Sequence, residues 1–494
     1  MAENNDNLKQ LTAKSLKWNV IDRVASQILY AVTGIILARV LSQEDFGLIG
    51  AILVFQAFAQ MLVDSGFSTA LIQRKSPTQT DYSTVFWFNI GVAVALYILL
   101  FFAAPFIASI FHDPRIISLS RVMFLAVIIN SSSIVQANRL MKSMNVRPLA
   151  ASNALGLTAG AITGIYMALM GYGAWAIVGQ TLVNGIVKSM SLWYVNRWFP
   201  AAEFSMHALK SFFKVGSGIL ATSFLNTLFQ NIYSFFIGNM VGMAPLGYYT
   251  QADKWSKMGI TSLTQSVTSA FLPTLSAVQD DRERLTRTIS KMNKFTAYLT
   301  FPAMGFLMVM ATPIFHALFG TKWDPSIILF QILLLRGVFT ILCGLYNNYL
   351  VALAESKMIV VMEFLRDGVA IAALLLTLPQ ITDSTPENPV YGLTILLLGQ
   401  LLASALTWVI TLIVAARKTG ISPLFFLRDL APYMVITAIV MIPEYLVIPL
   451  ISNTWMTLFL QTVIILLLYL GVNYILNSKI QNELFSYLRK KKNF

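Results

Sequence analysis

Along this chain long apolar runs alternate with short polar gaps, and the runs have a length that one environment explains. A hydrocarbon layer about 30 Å thick takes roughly 20 helical residues, and within it only helices or closed barrels satisfy the backbone. Unbroken apolar runs of this length predict membrane-spanning helices. Fourteen are read, over about 18–40, 47–72, 83–110, 117–138, 149–170, 174–196, 211–239, 246–275, 295–319, 327–352, 358–379, 390–416, 430–450 and 455–477. The longest gaps, 197–210 and 276–294, leave no room for a soluble domain.

Composition agrees. Of 494 residues, 56% are apolar and only 12% charged, about half the charge of an ordinary globular protein. Mean hydropathy is +0.68. A soluble multi-domain enzyme is thereby excluded. The single cysteine, Cys343, excludes a disulfide framework or cysteine-rich metal site, and His112, His207 and His316 stand apart, so no catalytic or metal site is expected. No GxxxxGK[ST], GxSxG, HExxH or CxxC is present, and an ATP-driven pump would need a separate ATPase subunit. The net charge of +13 forms no single basic face, which argues against nucleic acid.

Most lysines and arginines fall in alternate gaps. Arg74 and Lys75, Arg139 to Arg147, Arg197 to Lys214, Arg282 to Lys294, Arg417 to Arg428 and Arg489 to Lys492 would share one side, while QITDSTPENPVY (380–391) and PEYLVIPLISN (443–453) hold none. The positive-inside rule then places both termini in the cytoplasm. MAENNDNLKQLTAKSLKW lacks the apolar core and cleavage site of a signal peptide, so the first run is expected to remain as a span.

An internal repeat sets the domain plan. ARVLSQEDFGLIG (38–50) realigns with GNMVGMAPLGYYT (238–250), and APFIASIFHDP (104–114) with TPIFHALFGTKWDP (312–325). Six spans separate the copies, so both halves enter the membrane in the same direction, as in parallel-repeat transporters. The expected plan is an all-α membrane protein. It has a cytoplasmic amino terminus (1–17), a six-helix lobe (18–196), a linker (197–210), a second six-helix lobe (211–416) and two further helices (417–477). Residues 478–494 form a basic amphipathic tail on the inner leaflet, with membrane lipids as partners.

Ionisable residues inside the runs carry the functional signal, because each costs about 2.5–3.5 kcal/mol at a helix centre and so tends to face a cavity or a partner. Arg336, Arg366, Arg23, Lys188, Lys254 and Lys257 are candidate cavity cations, against Asp22, Asp64, Asp253, Glu363 and Asp367. Arg336 lies about nine residues from a helix end, near mid-bilayer. Glu363 precedes Arg366 by three on the same face and is read as its ion-pair partner or a coupling group. Asp253 is placed to neutralise Lys257 at i+4. Asp64 is expected to pair with Arg23 or Lys188, or to titrate. A modestly cationic polar cavity would suit an anionic head group such as a diphosphate. Glu44 and Asp45 are read as a helix cap.

SLKW (15–18), ILARVLSQEDFGLIG (36–50), LVDSGFSTALIQRK (62–75), TVFWFNI (84–90), LGYYTQADKW (246–255), LPTLSAVQDD (272–281) and FGTKW (319–323) resemble the lipopolysaccharide and exopolysaccharide flippases of the Wzx type, particularly the WzxC-like branch. The resemblance covers residues from about 10 to 360 and implies the multidrug/oligosaccharidyl-lipid/polysaccharide exporter superfamily. Its implied fold is two six-helix lobes around a central cavity, and its implied cargo an undecaprenyl-diphosphate-linked oligosaccharide, flipped to the outer leaflet by alternating access. It also implies no cofactor beyond a coupling ion, H+ or Na+, and a polysaccharide polymerase and chain-length regulator as partners. Relatives that flip the peptidoglycan precursor hold the diphosphate with arginines in helices 1, 2 and 8. Arg23 matches the first by position, whereas helix 2 offers Asp64 and helix 8 offers Lys254 and Lys257. Two other classes are weighed: a drug or cation antiporter of the same superfamily, which would want an acidic, aromatic-lined cavity, and a membrane glycan polymerase, which would want a large outside loop.

Overall fold

The computed structural model describes residues 2–64, 66–276, 281–384, 388–447 and 454–491. Among them every element is helical. In order they are α1 (Ala2–Val40), α2 (Gln43–Asp64), α3 (Phe67–Gln73), α4 (Gln79–Ile110), α5 (Arg115–Met123), α6 (Leu125–Lys142), α7 (Val146–Leu169), α8 (Trp175–Asn196), α9 (Met206–Met240), α10 (Met243–Ser276), α11 (Arg282–Val309), α12 (Ala311–Leu318), α13 (Asp324–Ala352), α14 (Ser356–Thr377), α15 (Tyr391–Thr419), α16 (Pro423–Val447), α17 (Thr454–Ile475) and α18 (Lys479–Lys491). Where they are described, the fourteen apolar runs fall on helices or on broken pairs of helices; residues 65 and 448–450 of two of them lie outside the described residues. Among the described residues eight are long and apolar enough to cross a bilayer, or ten if two sharply bent pairs each count as one span. Of the runs that fall short, α14 holds Glu363, Arg366 and Asp367, and α10 holds Asp253, Lys254 and Lys257 followed by a stretch rich in Ser and Thr.

The chain divides into two compact units, Met1–Gly247 and Tyr248–Phe494. In the first, α7 packs on α8 and α1, α6 on α4 and α8, and α9 on α2, α3 and α4. Spacing by four makes the α7–α8 contact close. A Cβ on Gly156, Gly160 or Gly164 would lie 2.7 to 2.8 Å from atoms of Asn184 or Gln180, the small-residue stripe that lets helices approach without a hydrophobic driving force. The second span is broken, because Gly66 has φ +70 between α2 and α3. Lys142 closes the far end of α3, its Nζ donating to the carbonyls of Leu71 (3.5 Å), Ile72 (2.9 Å) and Arg74.

Of the residues 197–210 read as a linker, 206–210 already belong to α9, and 197–205 are laced to the start of α4. The Gln79 side chain accepts from Trp198 Nε1 at 2.5 Å and donates to the Phe199 carbonyl at 2.9 Å, and Ser83 and Thr84 hydroxyls accept from the amides of Ala201 and Ser205 at 2.9 and 3.0 Å. Trp198 thereby completes an apolar cluster with Phe67, Phe86 and Phe212. At the start of α2, Asp45 accepts from the Ser42 amide (2.9 Å) while Ser42 Oγ accepts from the Asp45 amide (3.2 Å), a reciprocal cap. Glu44 reaches Arg115 at 3.0 Å.

The second unit is built on α13, packed against α11 and α15, with α16 against α11. Tyr346, Tyr349 and Phe426 stack in its core with ring centroids 5.5 to 6.3 Å apart, and Tyr349 donates to Asn293 Oδ1 at 2.8 Å. Lys294 meets the buried Asp429 at 3.1 Å. The tail helix α18 is tied into this unit: buried Gln481 accepts from Tyr298 OH at 3.2 Å and donates to the Leu470 carbonyl at 2.9 Å, and Lys291 pairs with Glu483. The end of the basic run, Lys492, lies outside the described residues.

The repeat has a geometric counterpart. A Cβ on Gly47 would fall 1.8 Å from the Met243 carbonyl oxygen, and one on Gly247 would fall 1.9 Å from that of Gln43. The positions realigned by sequence thus exchange the same backbone contact, i to j and j to i, within the first unit. The second landmark agrees in its turn, which passes through a positive-φ residue in both copies, His112 (φ 56) and Gly320 (φ 90).

Candidate functional site

The six candidate cations separate into compensated and uncompensated groups. In the second unit Lys257 meets Asp253 at 2.6 Å across one turn of α10. Arg366 does not take Glu363 as partner; its Nε bonds Asp367 Oδ1 at 3.0 Å, because the flexible arginine stem folds onto the neighbouring residue whose carboxylate is buried. Glu363 is left exposed. In the first unit Lys188 stands within electrostatic reach of Asp22, itself held by Asn153 Nδ2 at 3.0 Å. Asp64 pairs with neither Arg23 nor Lys188. Its Oδ1 accepts from Ser68 Oγ at 2.5 Å, across the Gly66 break.

Three cations have no carboxylate partner among the described residues: Arg23, which is exposed on α1, Lys254 and Arg336. Lys254 lies beside the Trp255 ring at 5.5 Å. Arg336 is half-buried, and its Nε is fully buried with no hydrogen-bond partner. An orphaned, charged N–H of this kind needs an explanation, since leaving a buried donor unmade costs about 1–3 kcal/mol.

Two contacts relate the helices that carry these groups. A Cβ on Gly337, next to Arg336, would lie 2.4 Å from Ile260 Cδ1, so α10 meets α13 there. Lys257 and Lys254 follow on α10 at about 4.5 and 9 Å along the axis from Ile260. Arg366 stands within electrostatic reach of Cys343, which is seven residues after Arg336 and so on the same face of α13, about 10 Å further on. The second unit therefore holds Arg336, Lys254, Lys257 and Arg366 against Asp253, Asp367 and Glu363. Such a group can bind an anion by charge and hydrogen bonds. Among the described residues no three or more His, Cys, Asp or Glu side chains gather where they could hold a metal.

The sequence reading missed the polar residues around Asp64. Gln60, Asp64, Ser68 and Asn138 line one cavity of about 430 Å³ with Ala57, Met61, Ile134 and Ala137. The signal was present, as positions 57, 60, 61 and 64 share a helical face, and so do 134, 137 and 138.

The sequence profile of the polysaccharide biosynthesis proteins matches residues 36–328, well over half of the chain. The chain belongs to that family. Among similar relatives in the polysaccharide biosynthesis field, the succinoglycan biosynthesis transport protein ExoT of Rhizobium meliloti (strain 1021) is 26% identical over 354 residues, 72% of this chain and 71% of that one. The lipopolysaccharide biosynthesis protein WzxC of Escherichia coli (strain K12) is 25% identical over 340 residues, 67% and 68% of the two chains. Of solved structures, the lipid II flippase MurJ in an inward closed conformation shares the fold, with a TM-score of 0.70 at 16% identity, covering 92% of this chain and 98% of that one. This polysaccharide biosynthesis protein is thus a multi-pass helical membrane protein that shares the fold of that structure.

Proposed function

We propose that this chain flips an undecaprenyl-diphosphate-linked oligosaccharide repeat unit from the cytoplasmic to the outer leaflet of a bacterial inner membrane, with both termini cytoplasmic, and makes or breaks no covalent bond. The carrying observation is the partnerless Nε of Arg336, in a unit where cations outnumber carboxylates. Membership of a family of polysaccharide biosynthesis proteins supports a glycan on the anion, and the similarity to the succinoglycan biosynthesis transport protein supports transport rather than synthesis. Arg336, with Lys254 and Lys257, would hold the diphosphate; Arg366 lies further along α13 for a second position. Arg23 is the first-unit cation left for it. Lys188 and Lys257 are partly committed to Asp22 and Asp253, which weakens their claim.

Ion-gradient coupling belongs to the same proposal, with H+ or Na+ taken up by Asp64 or Glu363, the two intramembrane carboxylates that have no ionic partner among the described residues. A polymerase that consumes the delivered repeat unit, with its chain-length regulator, would be the downstream partner. The test is translocation of lipid-linked glycan in proteoliposomes. Arg336→Ala should slow it at least tenfold, the effect of about 1.4 kcal/mol, while Arg336→Lys keeps part of the rate; an unchanged rate after Arg336→Ala removes Arg336 from the mechanism.

A further inference from the structure

One helix of the first unit turns a different chemistry to its surface. Between Gly216 and Gln230 every exposed position of α9 but one is small or polar, with Thr222, Asn226 and Gln230 in step at i, i+4 and i+8; the exception is Phe224, whose ring lies 5.7 Å from that of Phe58. Other helices of the unit expose what lipid wants. On α4 these are Leu99, Phe102 and Phe106, and on α7 they are Leu155, Ile162 and Leu169, all more than half exposed. Asn226 sits beside the midpoint of the apolar run 211–239, roughly 20 Å of helix from either end. An amide at that depth finds no partner in hydrocarbon. The other Asn and Gln side chains in the unit's apolar runs are buried or half-buried, Asn19 at the start of the first run excepted.

Carboxamides in a span commonly bond across to another helix, but these two bond each other. Gln230 Nε2 donates to Asn226 Oδ1 at 3.1 Å across one turn, and Thr222 donates to the Ile219 carbonyl at 2.9 Å. The Asn226 Nδ2 donor and the Gln230 Oε1 acceptor remain on exposed side chains, with no partner among the described residues. Such a stripe borders water rather than lipid. From 215 to 240 the helix has no Asp, Glu, Lys or Arg, so the stripe offers neither the cations that hold a phosphate nor the carboxylates that hold a metal ion. Neutral donors and acceptors in one row suit sugar hydroxyls, each of which donates and accepts at once. The row runs for about 12 Å along the axis, long enough to meet successive sugars of a chain. We infer that the Thr222–Asn226–Gln230 face of α9 is a carbohydrate-binding surface that takes hydroxyl groups of an oligosaccharide. The inference rests on the glycan half of the flippase reading and uses nothing of its diphosphate half.

Two measurements on the full chain in lipid nanodiscs test it. In a Cys343→Ala background, a water-soluble maleimide should label Asn226→Cys and leave Ile162→Cys, on α7, unlabelled. Equal reaction at the two, or none at Asn226→Cys, overturns the surface. The protein is then titrated with the oligosaccharide freed by mild acid from the lipid-linked glycan of the cells that make it and, separately, with undecaprenyl diphosphate bearing no sugar. Asn226→Leu and Gln230→Leu should each weaken oligosaccharide binding about fivefold, the loss of one neutral hydrogen bond, and leave binding of the sugar-free lipid unchanged, while Asn226→Gln keeps most of the affinity. Unchanged oligosaccharide binding in both leucine variants, or equal weakening for both probes, overturns the surface. So does a wild-type dimer that Asn226→Leu takes apart, which makes the face a contact between copies. Wild type that binds the sugar-free lipid but not the oligosaccharide sinks this surface alone, whereas wild type that binds neither sinks the flippase reading with it.

Discussion

Arg336 shows what a single residue reveals in sequence and what it withholds. Its position near the centre of an apolar run marks it as costly in lipid, and that much needs only counting. That its Nε has no partner, while Arg366 satisfies itself on Asp367, depends on which way each side chain turns, and helical spacing pointed to Glu363 instead. Gly66 is the opposite case, an unremarkable letter with a strict requirement. At φ +70, with Ile219 Cβ 2.9 Å and the Gly216 carbonyl oxygen 3.0 Å from where a Cβ would sit, Gly66→Ala should destabilise the protein by more than about 1 kcal/mol. A lowered melting temperature in detergent is the readout. Asp113 gives a pH prediction. The Arg115 side chain bonds both its carboxylate oxygens at 2.7 to 3.2 Å, and this hydrogen bonding holds the Asp113 carboxyl below its usual range. A folded-state pKa below the unfolded one adds stability that is present above the unfolded value and is lost as pH falls through the folded one. Melting temperatures taken from pH 6 down to 3 should therefore drop less steeply in Asp113→Asn than in wild type.

At the level of elements the fold was largely legible, because length and apolarity together fix a membrane span and every expected run, where it is described, fell on helix. The breaks were not. The α5–α6 break at Phe124 has neither glycine nor proline beside it, and its residues stay in helical backbone angles, so nothing in the letters announces it. The α11–α12 bend of 60° follows Pro302 and precedes Pro313, a weak signal inside a uniformly apolar run. Nor did charge spacing disclose that Lys142, counted among the inside positives, spends its ammonium on the last carbonyls of α3. That contact favours the negative end of a helix dipole. Lys142→Met should leave those carbonyls unbonded, cost about 1–2 kcal/mol, and speed amide hydrogen exchange in α3 ahead of the rest of the first unit.

For the molecule as a whole, the charge census named the ionisable residues inside the apolar runs without their allegiances. The cations of the second unit were visible in sequence; the cavity around Asp64 was not, because Gln60, Ser68 and Asn138 are ordinary residues until α2, α3 and α6 bring them together. The repeat, by contrast, was readable from two short landmarks, and its geometric partner is the glycine contact between α2 and α10. With no space at all between Gly47 and the Met243 carbonyl, Gly47→Val should prevent assembly of the first unit, seen as loss of the monodisperse peak in size-exclusion chromatography, whereas Gly91→Val, where a Cβ meets nothing within 4 Å, should elute as wild type.

That contact also carries a genetic consequence. Were two identical half-length polypeptides to pair about an axis, one codon would supply both glycines, and any change would strike both sides at once. Joined in one reading frame, the halves hold two codons that mutate separately, yet neither is spare, since each glycine fills a place the other cannot reach.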